Sequence, residues 1–307
     1  MEPRSVYTIG ESILDIIFKD EQPVTAKPGG AMLNSAVSLG RAGISVGLIS
    51  EFGHDLPGEI ISAFLKFSGV STESIYRYKD GQTALSLAFL DEQHNASYAF
   101  YKPFPAKRLA CEFPSIKPED IVLFGSSYAM NVDVRTNLLK FIAEAKMNGA
   151  FIIYDPNFRK NKFIELETIR PWILENMSYA DVVRGSDEDF KFIFSANNLD
   201  EALELTQFSQ NSSLIYTSHQ SVVKFDRFSP VLSLLVPKIE PVSTIGAGDA
   251  FNAGLIYSIM KHNIFREQLR SLNNCTWTKI LQTGIEFASD VCMSLENYIS
   301  FEFANSL

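Results

Sequence analysis

Short apolar runs alternate with longer amphipathic stretches through most of this chain. The runs at 5–10, 45–52, 121–124, 151–154, 180–183 and 214–217 are short and apolar, the pattern of buried strands. Between them, 35–42, 59–67, 134–147, 200–208 and 250–260 repeat apolar positions at helical spacing, and Gly43 and Gly149 stop two of these helices. Residues 184–189 open another helix, and 273–293 contains a final long one. Two further strands, 221–225 and 231–239, bring the chain to Pro241. Strands alternating with helices predict an α/β fold: a mostly parallel central sheet flanked by helices on both faces. Ligands of such sheets sit beyond the carboxyl ends of the strands. The polar clusters at Asp155, Arg184 and Gly246 each follow a strand, so all three are expected to face one crevice.

One region breaks the alternation. The runs 83–90 and 96–101 are strand-like and joined by Asp91-Glu92-Gln93-His94-Asn95, which predicts a β-hairpin. We assign it to a small β-sheet lid, built from about residues 12–26 and 82–108 and inserted in a single domain spanning 1–307. There is no internal repeat and no low-complexity linker.

Composition narrows the partners. The 307 residues carry a net charge of −9 with no basic run, which argues against nucleic acid or an anionic membrane surface. No signal peptide and no bilayer-length apolar stretch is legible, so a cytoplasmic protein is expected and the Asn-x-Ser/Thr triplets at Asn95, Asn176 and Asn211 are chance. Cys111, Cys275 and Cys292 have neither CxxC nor metal spacing and are expected as buried free thiols in a reducing compartment.

The densest chemistry lies in Thr244-Ile245-Gly246-Ala247-Gly248-Asp249-Ala250-Phe251, between the last strand and the 250–260 helix. A glycine turn entering a helix aims backbone N–H groups, and the positive end of the helix dipole, at an anion. Asp249 in that place is either an N-capping residue or a general base that takes a proton from an attacking hydroxyl while phosphorus sits over the Gly246–Gly248 amides. Near the start, Pro28-Gly29-Gly30-Ala31-Met32-Leu33-Asn34 is a second glycine turn before a helix. It admits a ligand close to backbone, with Asn34 bonding a hydroxyl, or else it is a plain turn with Asn34 helping to cap. Asp15 interrupts the apolar run 13–18 and is a turn residue or an outward strand position unless other polar groups converge on it. A dinucleotide GxGxxG after the first strand and a P-loop are both absent.

Taken together, Gly29-Gly30-Ala31-Met32-Leu33-Asn34-Ser35-Ala36 and Thr244-Ile245-Gly246-Ala247-Gly248-Asp249-Ala250-Phe251 resemble the GGxxxNxA and TxGAGDxF motifs of the ribokinase/PfkB family of sugar and nucleoside kinases. The likeness covers nearly the whole chain, is weakest after about residue 290, and looks most like the fructokinase branch in Gly10-Glu11…Asp15 and Asp155-Pro156-Asn157-Phe158-Arg159. It implies a ribokinase-like fold and Mg-ATP-dependent phosphorylation of a primary hydroxyl on a small sugar, fructose first, with ribose, 2-keto-3-deoxygluconate or a nucleoside as open alternatives. Asp249 would be the base, and the amides of Gly246, Ala247 and Gly248 would stabilise the transferring phosphoryl group. Asp15, Gly29, Gly30 and Asn34 would hold the acceptor, with Lys102 and Arg159 as further candidates. Asn157, Arg184, Ser186, Thr217, Thr244, Gly246 and Gly248 would line the nucleotide side, and Asp189 would reach the metal through water. The family also implies a homodimer through the lid strands.

Several positions depart from the family. Ser243 stands where an Asp is usual, and the later glycine-alanine loop is unrecognisable in 292–303, so no monovalent-cation requirement is expected. Asn-x-x-Glu becomes Ser186-Asp187-Glu188-Asp189, Thr-x-Gly-x-x-Gly becomes Thr217-Ser218-His219-Gln220-Ser221-Val222, and Ala288-Ser289 replaces Ala-Asn. All of these changes fall on the nucleotide side. They leave a second reading open, a sugar-binding or sensing protein descended from a kinase.

Overall fold

The computed structural model describes residues 4–90, 96–158, 165–205, 212–226 and 229–307. Strand β1 (Val6–Ile9) is an interior strand of the main sheet. It leads into two strands of a separate sheet, β2 (Ile13–Lys19) and β3 (Gln22–Gly29), and then helix α1 (Ala31–Arg41). Next come β4 (Val46–Gly53), α2 (Leu56–Phe67) and the short β5 (Val70–Ser71) and β6 (Ile75–Tyr78). The hairpin strands are β7 (Leu85–Leu90) and β8 (Ala96–Tyr101).

The alternation resumes with β9 (Ile121–Gly125), α3 (Val132–Met147), β10 (Phe151–Asp155), α4 (Leu166–Tyr179), β11 (Val182–Ser186), α5 (Asp187–Phe194) and α6 (Leu199–Leu205). Strands β12 (Ser213–Thr217), β13 (Ser221–Asp226) and β14 (Ser229–Leu235) precede α7 (Ala247–Lys261), α8 (Asn274–Cys292) and α9 (Phe301–Ser306).

The main sheet runs β14-β13-β12-β11-β10-β9-β1-β4-β5, with β6 continuing along β4. It is parallel except for β12–β13 and β13–β14. Alternate residues of its central strands feed two cores: Ile121 and Leu123 pack with α1, α7 and α8, while Val122 and Phe124 pack with α3, α4 and α5. Burial on both faces is why these strands read as continuous apolar runs. The small sheet runs β3-β2-β7-β8.

The departures from expectation have local causes. Strand β3 escapes the hydrophobic pattern because Pro23 and Pro28 interrupt it and most of its residues are exposed. It lies at a sheet edge, where a missing N–H costs little. Helix α4 carries an internal proline, Pro171, which hides its period. The 273–293 helix is not the last: Ser300, whose hydroxyl accepts from Phe303 N, caps α9. Strand β14 ends at Leu235 rather than at 239. All three cysteines are free, but only Cys292 is buried, and Cys275 is exposed because it lies in the first turn of α8. Among the described residues no helix is long and apolar enough to cross a membrane.

Candidate active site

The parallel strands β1, β10, β11 and β12 all end at one edge of the sheet, and their carboxyl ends carry the polar residues. Helices α1 and α7 start at this edge. Gly246 is the N-cap of α7, in the left-handed region at φ 85°, so Asp249 falls in the first helical turn rather than at the cap. The capping explanation of Asp249 is thereby removed.

The side chain of Asp249 is buried. Its Oδ2 accepts a hydrogen bond from Asn34 Nδ2 at 2.8 Å, and its Oδ1 accepts one from Asn157 Nδ2 at 3.1 Å. Ser35 Oγ donates to the Asp249 carbonyl at 2.8 Å, which locks the start of α1 against α7. Two neutral amides, from Asn34 and Asn157, therefore aim the Asp249 carboxylate. Asn34 Oδ1 is buried without a hydrogen-bond partner among the described residues. Asn157, expected on the nucleotide side, sits at the carboxylate. Its own φ is 38°, and its N–H is fixed by Asp155 Oδ1 at 2.9 Å.

On one side lies the glycine turn of α1. A Cβ on Gly29 would fall 2.2 Å from Asp15 Oδ2, and one on Gly30 would fall 2.1 Å from the Glu11 carbonyl. Gly30 also has φ 131°, outside the range of ordinary side-chain-bearing residues. The glycines thus let the Asp15 carboxylate rest on backbone at the mouth of the site. Burial pushes the Asp15 carboxyl up to about 6. Lys102 donates to both Glu11 oxygens, at 2.7 and 2.8 Å, and closes that edge from the end of β8.

On the other side lies a buried polar layer beneath the α7 turn. Arg184 Nη1 donates to Asp155 Oδ2 at 3.0 Å and Nη2 to Thr217 Oγ1 at 2.7 Å. A Cβ on Gly248 would fall 2.7 Å from Arg184 Nη1, so the missing side chain is what admits the guanidinium. Arg184 Nε is buried with no hydrogen-bond partner among the described residues. Asn252 Nδ2 donates to Asp155 Oδ2 at 2.6 Å. Complete burial pushes the Asp155 carboxyl above its ordinary range, against the opposing pull of Arg184.

Ser186 and Asp189 form the capping box of α5. The Asp189 carboxylate accepts from Ser186 N and Oγ, both at 2.7 Å, and from Phe158 N at 2.6 Å. These donors occupy three of its four lone-pair directions. Among the described residues no group of three or more His, Cys, Asp or Glu side chains is arranged to hold a metal ion. Thr244 is exposed, and its carbonyl accepts from Ala247 N at 3.3 Å in a turn. Ser243 Oγ accepts from Ile245 N at 3.2 Å. Arg159 lies outside the described residues.

Beyond this layer, a mostly apolar cavity of about 330 Å³ opens between the segment after β14 and the faces of α8 and α9. Pro237, Ile239, Ile285, Ser289 and Phe303 line it. Sequence reasoning missed Asn252, Ser35 and Glu11 as parts of the site. Asn252 alone had a signal: a polar residue three positions after Asp249 in an otherwise apolar helix. The pairing of Ser35 with Asp249, 214 residues away, has no local signature.

The sequence matches the pfkB family carbohydrate kinase profile over residues 3–291. A fructokinase of Vibrio alginolyticus is 26% identical over 260 residues, covering 84% of each chain. Fructokinase-2 of Oryza sativa subsp. japonica is 27% identical over 295 residues, covering 89% of this chain and 87% of the relative. The fold is similar to that of Vibrio cholerae O395 fructokinase solved in its fructose, ADP and calcium ion bound form, with TM-score 0.83, 21% identity and 99% and 98% of the two chains covered. It is also similar to that of Salmonella enterica aminoimidazole riboside kinase complexed with aminoimidazole riboside and an ATP analog, with TM-score 0.82, 16% identity and 99% of both chains covered.

Proposed function

The chain belongs to the pfkB family of carbohydrate kinases, and from that membership we propose that it transfers the γ-phosphoryl group of ATP to a primary hydroxyl of a small sugar, fructose before other acceptors. It is a sugar phosphotransferase with a ribokinase-like fold. The observation that carries the finer reading is the Asp249 carboxylate, buried in the first turn of α7 and aimed by Asn34 and Asn157. A carboxylate beside an anion-binding turn repels the anion, and accepting a proton from the acceptor hydroxyl gives it a use.

Asp249 removes that proton as the oxygen attacks phosphorus. The turn 246–248 holds the phosphoryl oxygens at the positive end of α7. Asp15, with Asn34 Oδ1 and the backbone of Gly29 and Gly30, orients the sugar hydroxyls. Bound Mg-ATP would supply the phosphoryl group, and its metal ion would offset the phosphate charge. The residues present fit it: Arg184, whose Nη1 lies beneath Gly248 and whose Nε has no partner among the described residues, matches polyphosphate charge, and the cavity beside Ser289 suits an adenine ring. Asp189 has one lone-pair direction left, which suits a contact with the metal through water. Thr217, Ser186 and Thr244 complete the nucleotide side, and Lys102 and Arg159 the acceptor side.

The small sheet acts as a lid on a single domain. Its exposed Phe89, Tyr98, Phe100 and Tyr101 support a homodimer through the lid strands, checked by sedimentation. The free cysteines fit a cytoplasmic setting. A coupled assay of ADP release, run with Mg-ATP on fructose, ribose, 2-keto-3-deoxygluconate and nucleosides, tests the reading. Turnover is expected on fructose and unchanged by K⁺, because Ser243 replaces the carboxylate usual there. Turnover on another acceptor alone would move the substrate assignment, and none on any would overturn the kinase reading.

A further inference from the structure

Lys27 stands opposite Asp15 in the β2–β3 register, so the two side chains rise from the same face of the small sheet. Asp15 leans over Gly29, whereas Lys27 reaches out of the sheet. Its Nζ donates to the Leu295 carbonyl at 2.6 Å and to Asn297 Oδ1 at 3.3 Å. Both acceptors lie on the segment joining α8 to α9. That segment backs the anion-binding turn: a Cβ on Gly246 would fall 2.4 Å from the Asn297 carbonyl oxygen and 2.8 Å from its Cα. Asn297 is itself buried.

The same segment is held from the main body as well. Arg41 Nη1 donates to the Ile299 carbonyl at 2.8 Å, Ser38 Oγ accepts from Ile299 N at 3.3 Å, and Asp290 accepts from Ser300 N at 2.7 Å. These contacts fix its far end. Lys27 fixes its near end, beside Gly246, and does so from the strand pair that carries Asp15. A part-buried ammonium gives up water for these oxygens. Burial lowers the Lys27 pKa, while the charges of Glu296 and Asp15 raise it.

We propose that Lys27 is a positioning residue for phosphoryl transfer: its ammonium ties the strand pair carrying Asp15 to the 295–297 segment behind Gly246, so that the acceptor subsite and the phosphoryl-binding turn are set in one geometry. The proposal rests on the sugar-kinase reading. The role of Lys27 is indirect. Its effect passes through Asn297 to Gly246 and through the field at Asp15.

The test compares full-length wild type with Lys27→Met, Lys27→Arg and Lys27→Ala. Lys27→Met keeps the length and apolar stem but loses the donors. It should lower kcat about tenfold, the scale of hydrogen bonds from a charged donor, with the KM for ATP within about twofold. Lys27→Arg should keep most of the rate. In Lys27→Ala, methylammonium should restore part of kcat and tetramethylammonium, which has no N–H, none. Hydrogen–deuterium exchange, read without turnover, should quicken in Lys27→Met at 244–249 as well as at 293–300. A kcat for Lys27→Met within about twofold of wild type overturns the proposal, as does faster exchange confined to 293–300. If wild type phosphorylates no acceptor, the kinase reading fails by itself, and the exchange at 244–249 still decides whether Lys27 sets that turn.

Discussion

Asn34 and Asp249, 215 residues apart in the chain, are joined by a 2.8 Å hydrogen bond from the amide of one to Oδ2 of the other. The bond connects the first turn of α1 to the first turn of α7, so the two glycine motifs meet at one carboxylate. Asn34 Oδ1 has no hydrogen-bond partner among the described residues, as a group proposed to meet a substrate hydroxyl would.

Asp249→Asn separates chemistry from binding. The new amide puts an N–H₂ where Oδ2 accepts, and Asn34 can flip to offer its unpartnered Oδ1. The pocket should therefore keep its shape. We expect kcat to fall by about 10²–10⁴-fold, the range for loss of a general base, with the acceptor KM little changed. Steady-state kinetics on the best acceptor check it, and near-normal turnover would remove Asp249 from the role of base.

Asp15 ties activity to pH. With its carboxyl raised to about 6, its ionised form, the one proposed to accept sugar hydroxyls, is lost as pH falls through that value. The acceptor KM should rise below pH about 6 while the KM for ATP does not follow. A flat acceptor KM between pH 5 and 8, the window roughly centred on that pKa, would exclude Asp15 from acceptor binding.

The same shift makes a stability prediction of opposite sign. A carboxyl whose folded pKa lies above its unfolded value of 3.8 holds its proton longer in the folded state, so stability declines as pH rises from about 4 to 6 and stays lower above. Asp15→Asn should therefore raise stability at pH 7.5 by about 1–2 kcal/mol, allowing for partial exposure, with no gain near pH 4. Urea unfolding of both proteins at the two pH values checks this. The variant should bind acceptor worse while being the more stable protein.

Gly29→Ala places a methyl 2.2 Å from Asp15 Oδ2 without a forbidden φ. The carboxylate must swing away, so the acceptor KM should rise about tenfold or more, the scale of one charged hydrogen bond, with the KM for ATP held. Gly246→Ala meets backbone at Asn297, at 2.4 Å, and also sits at φ 85°. It should destabilise the whole protein by about 2–3 kcal/mol, from the left-handed strain together with the clash, seen as a lower Tm.

Filling the cavity behind α8 tests the nucleotide side. Ser289→Tyr projects a ring into the space bounded by Pro237, Ile239 and Ile285. The KM for ATP should rise by about tenfold or more with the acceptor KM unchanged, because lost apolar burial of a ring costs more than 1 kcal/mol. An unchanged ATP response would place the adenine elsewhere.

Much of this protein was legible before its structure. The parallel strands announced themselves because burial on both faces demands unbroken apolar runs. The two glycine turns did so because glycine alone adopts φ 131° at Gly30, and adopts φ 85° at Gly246, without strain. Strand β3 and helix α4 stayed hidden because edge position and neighbouring packing tolerate their prolines. What only the tertiary structure decided is which polar groups meet. Asn157 turned to the Asp249 carboxylate, Asp189 closed its own capping box, and Lys27 crossed from the small sheet to Leu295 and Asn297. Periodicity is a local property fixed by backbone geometry, so sequence carries it. Contacts between residues hundreds of positions apart depend on how the layers stack, and only the folded chain sets that.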